Sequence, residues 1–235
     1  MNRLLLLLAF LSVNIYMYGQ IADKETYLEN FVGEMNKKWP GNRTLNVVFH
    51  GHSVPSGYFK TPVVNTLHAY PHLVLCGLKE CYPWAVLNVI TTSIGGEQSE
   101  QGAVRFEKEV LTHHPDVLFL DYALNDRSIG LERTEKAWRK MIERTLAENI
   151  KLILLTPTPD LGEDIKSADA PLASYAAMIR RLATEYKVGL VDAYSLFKSK
   201  AEAGEALKMY MSQKNHPNAL GHGCVANEIL TWFVR

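Results

Sequence analysis

The chain has 235 residues, 25 Lys+Arg against 25 Asp+Glu, a formal net charge of zero and 47% hydrophobic content. This is the balance of an ordinary globular chain; it excludes intrinsic disorder, and the lack of a basic run removes the electrostatic footprint of a nucleic-acid partner. The length allows one or two domains.

Asn2 and Arg3 precede the apolar run Leu4 to Val13, which fades toward Gly19. This pattern reads as a signal peptide over residues 1–19, with Gln20 then first, although a cut after Ala22 is an alternative. The run is short of the roughly 20 apolar residues that cross a bilayer, and no other segment is longer. A secreted or periplasmic protein without a stable membrane span after signal removal is therefore expected. In an exported chain Cys76 and Cys81 could close one short-loop disulfide and leave Cys224 over, though a domain of this size needs no staple.

Next in the chain, Tyr27, Leu28, Phe31, Val32 and Met35 recur at helical spacing. Five aliphatic runs follow, 45–49, 85–90, 117–120, 152–155 and 188–191, without polar alternation, as in strands buried on both faces. Helical patterns separate the later runs, one through Trp138, Met141, Ile142, Thr145 and Leu146 and one from Leu172 to Tyr186. Alternation of this kind predicts an α/β chain, a three-layer α/β/α sandwich with a five-stranded parallel sheet, flavodoxin-like, formed as a single domain over residues 20–235. In such sheets ligands bind beyond the carboxyl ends of the strands.

Three strand exits and one loop carry chemistry. Ser53 follows His50-Gly51-His52 after the first run, where it is either a helix cap or a nucleophile that needs a base. Ser93 to Glu97 after the second run contains Gly95 and Gly96, whose backbone can approach a ligand or simply turn. Asn125 and Asp126 end the third segment, and an Asn there either donates to an oxyanion or closes an Asx-turn. His216 stands before Pro217 on an extended loop ahead of the last helical pattern.

Taken in order, Gly51-His52-Ser53, the stretch from Asn88 through Gly96 to Gly102 and Arg105, Ala123-Leu124-Asn125-Asp126, and His216-Pro217-Asn218 resemble the blocks of the SGNH hydrolases, also called GDSL esterases. The resemblance implies Ser53 as nucleophile and His216 as general base, with the N–H groups of Ser53 and Gly96 and the Asn125 amide as oxyanion hole, and no cofactor or metal. His50 and His52 could share a strand face, but a hydrolytic zinc site needs a third protein ligand and none is apparent. Three positions depart from the family pattern: His52 replaces an Asp, Ala123 a Gly, and Gln213 the acid of the triad. A carboxylate would orient His216 and stabilise its cation; a neutral amide can do only the first. Gln213, a backbone carbonyl near it, Asp192 or Asp121 are the candidates for orienting His216, with the carbonyl favoured.

The aromatics Tyr58, Phe59, Tyr70, Tyr82, Trp84 and Tyr122 are expected on the strand-exit side, as sugar platforms or as core. Together these features predict an exported serine esterase acting on short acyl esters, most simply acetyl groups of a small or polymeric carbohydrate. The alternatives are a lipase or thioesterase of the same family and a catalytically weakened carbohydrate-binding protein.

Overall fold

The computed structural model describes residues 20–234, so the signal peptide expected at 1–19 lies outside the described residues. Five strands, β1 (Thr44–Gly51), β2 (Val86–Thr91), β3 (Val117–Asp121), β4 (Lys151–Leu155) and β5 (Gly189–Val191), form one parallel sheet in the order β2-β1-β3-β4-β5. This is the flavodoxin-like order, in which the chain reverses its direction of winding at β1, between β2 and β3.

The helices are α1 (Glu29–Met35), α2 (Ser53–Ser56), α3 (Tyr70–Cys81), α4 (Ser99–Glu109), α5 (Ala123–Asp126), α6 (Leu131–Ala147), α7 (Pro171–Tyr186), α8 (Ala193–Glu202) and α9 (Ala219–Leu230). Alternate side chains of each central strand divide between two cores. Val47, Phe49, Val117, Phe119, Ile153 and Leu155 pack under α1, α3, α8 and α9, where Phe49 stacks on Phe119 with centroids 4.5 Å apart. Val48, Leu118, Leu120, Leu152 and Leu154 pack under α4, α6 and α7. This two-sided burial is why the runs lack polar alternation, and each buried Leu or Phe contributes about 1.5–3 kcal/mol.

Three expectations need correction. β2 is an edge strand, and Val86 is 46% exposed, so an apolar run here does not mean burial on both faces. Cys76 and Cys81 lie on one helix, where residues five apart point about 140° away from each other, and all three cysteines are free. Tyr82 and Trp84 precede β2 and therefore sit at the amino-terminal end of the sheet, away from the strand exits. There the Tyr82 hydroxyl donates to the Phe233 carbonyl and Lys38 lies 3.9 Å over the Trp84 ring. Among the described residues no helix is long and apolar enough to cross a membrane.

Candidate active site

β1 delivers its last residues beside β3, with Gly51 opposite Asp121, and the chain turns at once into α2. The turn is fixed by His52, whose Nδ1 accepts from the Val54 N–H at 3.2 Å. His52, at the position where the family pattern has an Asp, thus supplies the capping acceptor of α2, and with Nδ1 occupied as an acceptor the proton resides on Nε2. That nitrogen faces Asp121 Oδ1 at 3.4 Å, while Asp121 Oδ2 accepts from Tyr70 Oη at 2.9 Å. Asp121 is engaged beneath α2 and does not reach His216.

Ser53, at the first position of α2, has its Oγ 2.9 Å from His216 Nε2. The loop carrying His216 is pinned by its own backbone: Ser212 N donates to the His216 carbonyl at 2.9 Å, and Met211 bridges Pro217. Two groups meet the other ring nitrogen, Nδ1. The Phe59 carbonyl lies at 2.8 Å and the side-chain nitrogen of Gln213 at 2.7 Å, while Gln213 Oε1 accepts from Thr61 N at 3.1 Å. Burial lowers the His216 pKa below the ordinary histidine value, the Phe59 carbonyl opposes that shift and nearby His52 adds to it. No carboxylate compensates. Asp192 caps α8 through Ser195 N (3.0 Å) and pairs with Arg180 (2.6 Å), so it is not a partner of His216. Burial raises its pKa, but Arg180, Ser195 N and the Thr156 hydroxyl together outweigh this and the net shift is downward.

Facing this pair is the turn Ile94-Gly95-Gly96-Glu97, closed by Glu97 N donating to Ile94 O at 3.2 Å and tied to the end of β1 by Ile94 N donating to Gly51 O at 3.1 Å. Gly96 takes φ +79°, which an L side chain adopts only with strain. Asn125 Nδ2, at the end of β3 in α5, donates to the Glu97 carbonyl at 2.9 Å, leaving its second hydrogen available. The Gly96 turn and Asn125 are therefore joined directly.

Behind the turn lies a buried polar cluster. Glu97 accepts from Arg105 at 2.8 and 2.5 Å and from the Tyr122 hydroxyl at 2.7 Å. Tyr122 Oη also meets His50 Nε2 at 3.0 Å, and His50 Nδ1 meets Thr92 at 2.8 Å. Burial drives the His50 pKa down to about 3, with Arg105 adding to the effect, so His50 is a neutral hydrogen-bonding group. A Cβ at Gly102 would collide with the Tyr122 hydroxyl, which explains a glycine at that helical position. His50 and His52 serve separate networks, and among the described residues no group of three His, Cys, Asp or Glu is placed to hold a metal. Tyr70 and Tyr122 are fully buried, whereas Tyr58 and Phe59 border the site.

Sequence reasoning favoured a backbone carbonyl for orienting His216 but did not name Phe59, since a backbone acceptor leaves no residue-type signal. Nor did it find the role of the Glu97–Arg105–Tyr122–His50 cluster, although the positions of Gly102 and Arg105 relative to Gly96 already hinted at it.

The GDSL-like Lipase/Acylhydrolase family model matches residues 49–224, which contain every residue of this site. The chain belongs to that family. It is a family of carboxylic ester hydrolases, and the strand order and site layout fit the SGNH type. Among solved structures the chain resembles a two-domain esterase active on acetylated mannans, at 21% identity and TM-score 0.73, covering 88% of this chain and 52% of that one. The same esterase co-crystallised with mannopentaose gives TM-score 0.74 at 20% identity, covering 92% of this chain and 54% of that one. An acetylxylan esterase from Geobacillus stearothermophilus gives TM-score 0.67 at 20% identity, covering 81% of this chain and 94% of that one. This chain thus spans about half the length of the two-domain esterase. No curated protein sequence matches it.

Proposed function

We propose that this protein is a serine esterase that removes acetyl groups from carbohydrate, acting outside the cytoplasm. The observation that carries the esterase half is the 2.9 Å contact between Ser53 Oγ and His216 Nε2, made across 163 residues of sequence. The carbohydrate half is supported by the likeness to esterases of acetylated mannan and xylan, and export by the apolar N-terminal run.

In this reading His216, neutral and with Nδ1–H donating to the Phe59 carbonyl, accepts the Ser53 proton at Nε2 as Oγ attacks the ester carbonyl. Charge developing on the carbonyl oxygen is met by the N–H groups of Ser53 and Gly96 and by Asn125. The intermediate collapses when His216 Nε2–H protonates the leaving sugar oxygen. The remaining acetyl-Ser53 is hydrolysed by water, activated by the same nitrogen.

The test is hydrolysis of p-nitrophenyl acetate and butyrate, ethyl acetate and acetylated xylo- and manno-oligosaccharides by wild type, Ser53→Ala and His216→Ala. Expected is loss of turnover of at least about 1000-fold in both variants, with acetate preferred over butyrate. Preference for long acyl chains would indicate a lipase. Binding of oligosaccharide by wild type and Ser53→Ala alike, without turnover, would indicate a carbohydrate-binding protein.

A further inference from the structure

Tyr58 belongs to neither hydrophobic core and is half-buried. Its backbone is fixed by the nucleophile, since Tyr58 N donates to the Ser53 carbonyl at 3.0 Å and Tyr58 bridges Val64 across the hairpin that follows α2. The ring is placed by two contacts. Its centroid lies 6.1 Å from that of His216, and its Cε2 and Cζ lie 3.0 Å from where a Cβ of Gly95 would stand. The lack of a side chain at Gly95 is what lets the ring lie against the turn. One aromatic ring therefore spans from the base to the backbone next to Gly96.

That placement has a stereochemical consequence. In the tetrahedral intermediate of the reaction proposed above, the central carbon carries Ser53 Oγ, the oxyanion, the acyl substituent and the leaving oxygen. The oxyanion points to Gly96 and Asn125. The leaving oxygen lies by His216 Nε2, because the nitrogen that took the Ser53 proton delivers it there. A ring touching both His216 and Gly95 covers the edge joining these two oxygens, and the acyl substituent points away from that edge.

The geometry points to Tyr58 as the alcohol platform of the site, its ring stacking on the sugar that carries the ester rather than walling the acyl pocket. The apolar C–H face of a sugar matches an aromatic face. This assignment rests on the Ser53–His216 esterase reading; the carbohydrate half of that reading can fail separately.

The experiment measures two ratios of kcat/KM for wild type, Tyr58→Leu and Tyr58→Phe. The alcohol ratio compares ring-bearing with small alcohols, acetylated xylotriose and cyclohexyl acetate each against ethyl acetate. The acyl ratio compares ethyl butyrate with ethyl acetate. Tyr58→Leu is expected to lower the alcohol ratio about tenfold, mainly through KM, with the acyl ratio unchanged, and Tyr58→Phe to keep both near wild type. A rise in the acyl ratio with an unchanged alcohol ratio makes Tyr58 an acyl wall and overturns the assignment. So does an equal loss on every ester, which marks a purely structural role. If wild type hydrolyses the simple acetates but no acetylated sugar, the carbohydrate substrate is wrong, and cyclohexyl acetate against ethyl acetate still decides the position of Tyr58.

Discussion

The side-chain nitrogen of Gln213 stands 2.7 Å from Nδ1 of His216, the same atom that the Phe59 carbonyl approaches at 2.8 Å. The two neighbours favour opposite tautomers. The carbonyl accepts from Nδ1–H and leaves Nε2 free to take the Ser53 proton, whereas an amide donor favours a bare Nδ1 and a proton on Nε2, where it blocks the base. Gln213 Oε1 is occupied by Thr61 N at 3.1 Å, so the amide is held with its nitrogen toward the ring.

Gln213→Glu is isosteric and replaces that donor with an acceptor that also bears charge. It is expected to raise kcat on p-nitrophenyl acetate by about tenfold, through the favoured tautomer and a stabilised imidazolium. The shorter Gln213→Asp recedes from Nδ1 and should gain less. Unchanged turnover in Gln213→Glu would mean that the Phe59 carbonyl alone suffices to orient the base.

The pH profile follows from the same histidine. Burial lowers the His216 pKa from its ordinary value, and only the neutral ring acts as base. The acidic limb of kcat/KM should therefore be centred below pH 6.5, the ordinary histidine pKa. In Gln213→Glu the carboxylate favours the protonated ring, so the acidic limb should move to higher pH. A wild-type limb centred at or above 6.5 would contradict the burial argument.

The architecture was readable because β3 and β4 are apolar runs without alternation, and α7 shows helical spacing over its whole length. The edge position of β2 was not, since partial burial of Val89 on one side and exposure of Val86 depend on neighbours that the local sequence does not name. Ser53, Asn125 and His216 were marked by their places at strand exits and on the closing loop. A backbone carbonyl was the favoured group for orienting His216, but which one was hidden for a physical reason: it is that of Phe59, and every residue has one. His52 was visible as a departure, but its function as the cap of α2 required the geometry of Val54 N.

The oxyanion side offers a separate test. Asn125→Ala removes one donor and should lower kcat by about 100- to 1000-fold with a small change in KM. Tyr122→Phe deletes the hydroxyl that bonds Glu97 at 2.7 Å and His50 at 3.0 Å, while Arg105 still holds Glu97. A smaller fall in kcat, about tenfold, is expected there, together with about 1–3 kcal/mol of lost stability from the unsatisfied buried groups. Kinetics and urea unfolding on the same samples separate the two effects, and full activity in Tyr122→Phe would show that the cluster does not position the Gly96 turn.

Acid sensitivity of the fold should trace to two buried histidines. His222 is fully buried, accepts from Tyr70 N at 3.2 Å and stacks on Phe59 at 5.2 Å. Burial pushes its pKa down to about 3, with His216 adding to the effect, and His50 is likewise held at about 3. Unfolded histidines titrate near 6.5, so below that pH the unfolded chain binds protons that the native state refuses. Stability is then full above about 6.5 and is lost as pH falls toward about 3, at about 1.4 kcal/mol per pH unit for each histidine. His222→Gln keeps an acceptor for Tyr70 N but cannot protonate. It should be less stable than wild type at pH 7, and its loss of stability between pH 6 and pH 4 should be shallower by about 1.4 kcal/mol per unit. Comparing the two proteins cancels the acidic titration of carboxylates such as Asp192, and identical slopes would show that His222 takes up a proton without unfolding.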